Sequence, residues 1–328
     1  MTSPTDWSGR RVFVTGATGL VGSWLSRRLL DYGANVCALV LDADPQSELY
    51  RCGTVQRLSV VNGDLADPQV IERAIVGFEA DTVLHLGAQT IVGTAVRAPA
   101  ATFLTNVGGT WNVLEACRRH AGLVERVVVA SSDKAYGTQP VLPYVEEMSL
   151  DGIDPYEASK SCTDLISRSY ARTYDLPVTV ARCGNIFGGG DLNWSRIVPG
   201  TVRSVLRGEV PVLRSDGTFV RDYLHVDDVV DAYLTLAEAS ADPAKSGEAY
   251  NFSDERPLSV WEIYDATCDA LGSDIRPEVR DQAGREIHDQ YLDSSKARDQ
   301  LGWKPTTGLT EGLALTVAWY RDFFGVHA

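Results

Sequence analysis

The sequence predicts an α/β protein built on a doubly wound parallel sheet with helices on both faces. Apolar runs of strand length alternate with helical patterns from residue 11 to residue 182, and the runs are continuous rather than alternating. Strands that read this way are buried on both faces, as in a parallel sheet. The 328 residues are also too many for one small domain.

Residues 11–15 read as a buried strand that runs into glycine, and 21–32 as a helix with Leu25, Leu29 and Leu30 on one face. Gly33 suits the left-handed position that ends such a helix. Strands follow at 35–41, 58–62, 82–86, 124–130 and 176–182, with helices at 67–77, 101–121 and 156–174. Past Gly184 the regularity breaks, and glycine, proline and tryptophan become frequent over 188–217. Helices are expected near 227–238, 260–271 and 309–324, and a strand near 249–252. Residues 1–184 form the expected first domain, with a later segment near 218–250 crossing back to it. Residues 185–328 mainly form a smaller C-terminal α/β domain.

A formal charge of −14 argues against a non-specific nucleic-acid binder, which needs a net basic surface. An anionic small ligand remains compatible, because a few arginines in a cleft set the local field. Six cysteines lie scattered, none at a C-x-x-C spacing, so no metal site is expected and free thiols in a reducing cytoplasm are. The first ten residues are polar, with no signal peptide, and no apolar run is long enough to span a bilayer, so no membrane partner is expected.

The first strand leads into Thr15-Gly16-Ala17-Thr18-Gly19-Leu20-Val21-Gly22, a G-x-x-G-x-x-G loop between strand and helix. Gly16 permits the tight turn, Gly19 lets backbone approach a pyrophosphate, and Gly22 lets helix pack on strand. The helix N-terminus then offers free N–H groups to the phosphates. Thr18 and Leu20 belong to the same loop, and the fold becomes a Rossmann-type dinucleotide site. Asp42 follows the second strand, where a carboxylate accepts from ribose hydroxyls and repels a 2′-phosphate, favouring NAD over NADP. Asp64 and Leu65 after the third strand, and Leu86 and Ala88 after the fourth, extend the expected cofactor contacts. His85 reads as packed behind the site rather than as a catalyst.

Tyr156 and Lys160 stand at i and i+4 and share a helix face. An ammonium beside a phenol lowers its pKa and makes tyrosinate a general base. The fifth strand ends in Ser131-Ser132-Asp133-Lys134, and the Ser132 hydroxyl is the choice for steadying the substrate oxygen.

Together these residues resemble the extended short-chain dehydrogenase/reductase family, its nucleotide-sugar epimerases and dehydratases. The likeness runs through His85-Leu86-Gly87-Ala88-Gln89, Thr105 to Thr110, Tyr156 to Lys160, Arg221 to Asp228 and Leu301 to Pro305. The family usually carries alanine at the position of Gly87. The resemblance implies NAD as cofactor, a nucleotide-diphosphate sugar as substrate, and a homodimer formed through a helix bundle. It also implies substrate contacts from Gln89, Asn106, Asn185, Arg196, Arg221 and Arg285, with Arg221 clamping the diphosphate.

Asp133 and Lys134 point to the branch. A 4-epimerase moves a hydride at C4 and usually has small or apolar residues there. A 4,6-dehydratase must also remove water across C5 and C6, which needs a base and an acid. The segments 22–26, 184–191 and 290–297 resemble CDP-glucose 4,6-dehydratases, whereas Arg221-Asp222-Tyr223 is nearer the general epimerase and dTDP-glucose dehydratase pattern. The usual Arg-Pro-Gly diphosphate segment is replaced by Gly284-Arg285-Glu286, which leaves the nucleotide base open. The expected reaction is therefore 4,6-dehydration, with 4-epimerisation as the alternative.

Overall fold

A computed structural model describes residues 6–282 and 286–326. The chain order is β1 (Arg11–Thr15), α1 (Leu20–Asp31), β2 (Asn35–Val40), α2 (Glu48–Arg51), β3 (Ser59–Asn62), α3 (Pro68–Phe78), β4 (Thr82–His85), α4 (Val92–Arg97), α5 (Pro99–Phe103), α6 (Gly109–Arg119), β5 (Arg126–Ala130), α7 (Pro155–Tyr174) and β6 (Val178–Cys183). It continues through β7 (Asn185–Phe187), α8 (Ile197–Leu206), β8 (Val212–Leu213), β9 (Val220–Arg221), β10 (Tyr223–His225), α9 (Val226–Ser240), β11 (Ala249–Phe252), β12 (Leu258–Ser259), α10 (Val260–Leu271), β13 (Glu278–Val279), β14 (Asp289–Gln290), α11 (Ser295–Leu301) and α12 (Leu309–Phe324).

Seven strands form one sheet in the order β11-β6-β5-β4-β1-β2-β3, every neighbouring pair parallel. The expected doubly wound fold is present. The order reverses between β1 and β4, where Thr15 sits in register with His85. Ligands of such sheets bind in the crevice that this reversal opens at the strands' carboxyl ends. Apolar clusters cover both faces, one around Val12, Leu25, Val128 and Val229, the other around Phe13, Ile71, Val113 and Val127. A further core, around Phe187, Val202, Ile263 and Leu313, lies among the C-terminal elements.

The helix expected over 101–121 begins earlier, at Pro99, and is interrupted by a π turn at Leu104–Gly108. Proline suits the first helical position because its missing N–H is unpaired there anyway. The π turn is where Asn106 is drawn inwards, and single π turns of this kind mark functional places in helices.

Two buried polar residues set the catalytic end of the sheet. The Arg182 guanidinium on β6 is fully buried. It forms a two-pronged pair with Asp164 on α7 at 2.7 and 3.0 Å, and donates to the Tyr136 hydroxyl at 2.7 Å and the Glu146 carbonyl at 3.2 Å. Asp222, between β9 and β10, is 1% exposed. One of its carboxylate oxygens accepts from Ser253 and from the Leu292 N–H, while the other has no partner among the described residues. That carboxylate lies against Gly184, where a Cβ would come 2.1 Å from it, so only glycine fits. Burial, aided by the Asp133 charge, raises Asp222 to about 7.

Removing one partner of a fully buried ion pair leaves the other charge stranded. Arg182→Met should cost about 3–5 kcal/mol in urea unfolding, and an unchanged midpoint would contradict the role given to this pair. For Asp222 the sign is opposite to that of a paired carboxylate. From the ordinary value near 3.8 up to about 7 the unfolded chain is ionised while the folded chain holds a proton. Stability therefore falls as pH rises through that window. Asp222→Asn should abolish this slope, read as urea midpoints of both proteins from about pH 4 to about pH 8.

Candidate active site

The crevice is floored by backbone. Gly16 adopts φ +72°, and a Cβ there would meet the Gly87 nitrogen at 2.7 Å; at Gly22 a Cβ would meet the Gly16 oxygen at 2.1 Å. Neither position accepts a side chain, so the first turn of α1 stays close under the end of β1. No side chain caps that helix. Its leading N–H groups are left for an anion, as a dinucleotide pyrophosphate requires. Thr18 and Gly19 border the loop on its accessible side, with Leu20 half-buried. Asp42 is exposed just beyond β2, available to a ribose diol. Asp64 closes a tight turn onto the Ala66 N–H at 2.9 Å, and Leu65 packs over the bare backbone of Gly87 and Gly109. Glycine at 87 thus makes room for this leucine. Leu86 and Ala88 are half-buried along the same edge. These features fit NAD.

Tyr156 and Lys160 project from the first turns of α7 and are 9% and 4% exposed. Ser132 caps the 3-10 turn Asp133–Tyr136, accepting from the Lys134 N–H at 3.2 Å and donating to the Asp133 carboxylate at 2.8 Å. The turn therefore gathers the serine, the carboxyl and the amine at the end of β5. Asp133 is 4% exposed and Lys134 half-buried.

Burial governs the protonation of this cluster. Asp133 is raised by desolvation against the pull of Lys134, and Lys134 is lowered by desolvation and by Arg221. A carboxyl pushed towards its acid form stands beside an amine pushed towards its base form. Lys160 is pushed down to about 8 by burial. Tyr156 is pushed up to about 12, again by burial, and Arg196 is the main charge that opposes the rise. This corrects the expectation that Lys160 lowers the phenol: its Nζ donates to the Ala130 carbonyl at 2.7 Å instead.

The expected substrate contacts divide. Asn185, on β7, is half-buried, and its side chain makes no hydrogen bond among the described residues. Arg196 caps α8, pairs with Asp191 at 2.9 Å and reaches Tyr156 electrostatically. Arg221 is 7% exposed, and its guanidinium donates to the carbonyls of Val220, Ile287 and His288, which seat it beside Asp133 and Lys134. Gln89 is half-buried, with its side chain folded back onto the Ile91 N–H. Asn106 is a correction: it is 1% exposed, not in the cleft. Its carbonyl oxygen accepts from Gln89 N–H at 2.7 Å, and its amide donates to the Gln89 carbonyl at 3.0 Å and to Ser159 at 2.8 Å. Both hydrogens of the amide are thereby committed. Arg285 lies outside the described residues.

Sequence reasoning passed over Glu157, whose buried carboxylate acts on Lys134 from the first turn of α7. It also passed over Cys183, a buried thiol at the end of β6 close to Asp133 and Lys160. Neither belongs to a spacing pattern, and only the meeting of strand ends brings them in.

The family model described as NAD dependent epimerase/dehydratase family matches residues 12–252. A CDP-glucose 4,6-dehydratase of Salmonella typhimurium is 33% identical over 330 residues, covering 96% of this chain and 91% of its own. A UDP-glucose 4-epimerase from Thermotoga maritima superposes with a TM-score of 0.87 at 29% identity, covering 95% of this chain and 99% of its own. A dTDP-glucose 4,6-dehydratase of Streptomyces venezuelae, crystallised with NAD, gives 0.86 at 29% identity, with 96% and 98% covered. With a glycine loop shaped for a dinucleotide and a Ser132, Tyr156 and Lys160 cluster at the sheet's carboxyl edge, the chain belongs to the NAD dependent epimerase/dehydratase family.

Proposed function

We propose that the chain is a nucleotide-sugar 4,6-dehydratase that yields a 4-keto-6-deoxyhexose still linked to its nucleotide. The observation that carries this reading is the Asp133–Lys134 turn, a buried carboxyl and a half-buried amine beside Tyr156. Elimination across C5 and C6 needs an acid and a base at one spot, whereas C4 epimerisation needs neither. Burial pushes Asp133 towards its acid form and Lys134 towards its base form.

NAD, held by the glycine loop and Asp42 and by Lys160, would supply the hydride acceptor for C4 and the hydride donor for C6. Tyr156 takes the C4 hydroxyl proton while the Ser132 hydroxyl steadies that oxygen. Burial pushes the phenol up, and Arg196 supplies the main positive charge that opposes the rise. Once C4 is a ketone, the C5 proton is acidified and Lys134 removes it. Asp133 gives its proton to the C6 oxygen, which leaves as water, and the protonated Lys134 returns a proton to C5 as hydride reaches C6. Arg221, Arg196 and Asn185 hold the diphosphate side of the substrate, where planar guanidinium groups can bond two oxygens at once. The similarity to the Salmonella CDP-glucose 4,6-dehydratase supports the same assignment.

The functional unit is a homodimer. Leu104 and Trp111, on the helical stretch that ends in α6, are 57% and 50% exposed, and Leu165 on the adjoining α7 is 55% exposed. Large apolar side chains gathered on neighbouring helices suit burial against a second copy.

Incubation with CDP-, dTDP-, UDP- and GDP-hexoses, without added reductant, should give a product lighter by one water from one of them. C4 epimers alone would defeat the assignment and favour a 4-epimerase. Asp133→Asn should slow water loss by about 100-fold or more, and near-normal turnover would exclude Asp133 as the acid. Trp111→Lys should give monomers in analytical ultracentrifugation where the unaltered chain gives dimers.

A further inference from the structure

Where the sheet order reverses, His85 is enclosed at 3% exposure with both ring nitrogens engaged. Nδ1 lies 2.8 Å from the Thr15 hydroxyl, and Nε2 lies 3.1 Å from the Thr110 hydroxyl. The proton positions follow from the partners' own bonds. Thr110 donates to the Asn106 carbonyl at 2.5 Å, and a carbonyl can only accept. With its one proton committed, the Thr110 oxygen accepts from the ring, so Nε2 carries the hydrogen. On the other side, the Thr15 oxygen accepts from the Gly87 N–H at 3.0 Å and turns its own proton to Nδ1. The result is a pair of donor chains that meet at one ring. Gly87 N–H feeds Thr15, which feeds Nδ1; Nε2–H feeds Thr110, which feeds the Asn106 carbonyl in the π turn.

We infer that His85 is a positioning residue for the cofactor: as a neutral Nε2–H imidazole it fastens the Gly87 backbone to the π turn and so holds residues 86–89 against the glycine loop. The Asn106 side chain grips the same segment at its other end, through both the N–H and the carbonyl of Gln89. From there Ser159 carries the connection to the Tyr156 carbonyl at 2.7 Å. Because Gly87 already touches the backbone of Gly16, the segment cannot shift inwards, and the chain through His85 keeps it from shifting outwards. The width of the dinucleotide crevice is thereby set by a hydrogen-bond polarity that only one tautomer satisfies. An imidazolium would turn an N–H towards the Thr15 hydroxyl, so that Thr15 could no longer donate to the ring and its own proton would lose its partner. Burial, with the Lys160 charge, pushes the ring down to about 3 and keeps it neutral.

The inference depends on the family's cofactor and is indifferent to whether dehydration or epimerisation follows. It is tested on the full chain purified as it comes, by the NAD retained per protein and by NAD titration of the stripped protein. Asparagine at 85 can present an acceptor near the position of Nδ1, whereas leucine cannot. His85→Leu and Thr15→Val should each weaken NAD binding by about tenfold or more, with turnover at saturating NAD within about threefold of the unaltered chain. His85→Asn should recover most of the affinity. Leucine binding NAD as tightly as histidine would overturn the inference. Should His85→Leu fail to fold, ¹⁵N NMR of the unaltered chain decides. A bare Nδ1 and protonated Nε2, unchanged from about pH 5 to about pH 8, is the expected signature. A ring that titrates in that range, or carries its proton on Nδ1, would sink the idea. An unaltered chain without affinity for NAD would instead overturn the proposed function, and the NMR result would still judge the ring's tautomer.

Discussion

The catalytic end of this protein depends on one buried guanidinium. Arg182 stands on β6, next to the edge strand, and holds Asp164 of the tyrosine-bearing helix with one edge and Tyr136 with another. Tyr136 closes the turn that carries Asp133 and Lys134, and its hydroxyl continues to Asn251 on the edge strand. The helix and the turn are thus fastened to the same ion, and neither can move without stranding a charge in the interior. A buried ion pair adds little net stability over a well-packed apolar replacement. Here it ties α7, which carries Tyr156, to the turn that carries Asp133 and Lys134.

Burial, rather than pairing, sets the chemistry above that anchor. Desolvation is the largest influence on Asp133, Lys134, Tyr156 and Lys160 alike. It pushes Asp133 towards the neutral acid and Lys134 towards the neutral amine, and it works against a tyrosinate at Tyr156, where Arg196 is the main charge that opposes the rise. Arg196 is itself held by Asp191, just beyond the glycine run 188–190.

That glycine run is also where the C-terminal elements meet the sheet. Trp24 of α1 donates to the Gly189 carbonyl at 2.7 Å, Trp319 of α12 packs where a Gly189 side chain would stand, and Tyr320 donates to the Asp191 carbonyl at 2.6 Å. The loop that carries Arg196 is therefore gripped by helices from both ends of the chain.

The sequence by itself determined the strands and main helices up to β6, the glycine loop and the placing of Tyr156 and Lys160 one helical turn apart. Each depends on spacing along one element: apolar runs, a turn that excludes side chains, two residues one helical turn apart. The resemblance of motifs extended this to a family. Tertiary structure alone decided what those residues experience. It turned Lys160 towards Ala130, made Arg196 the charge that faces Tyr156, and buried Asn106 as a fastening for Gln89. It also brought Glu157 and Asp222 to the end of β6, where Arg182 and Cys183 stand, from separate stretches of chain. Protonation and hydrogen-bond direction follow from desolvation and from neighbours distant in sequence, and no local pattern encodes either.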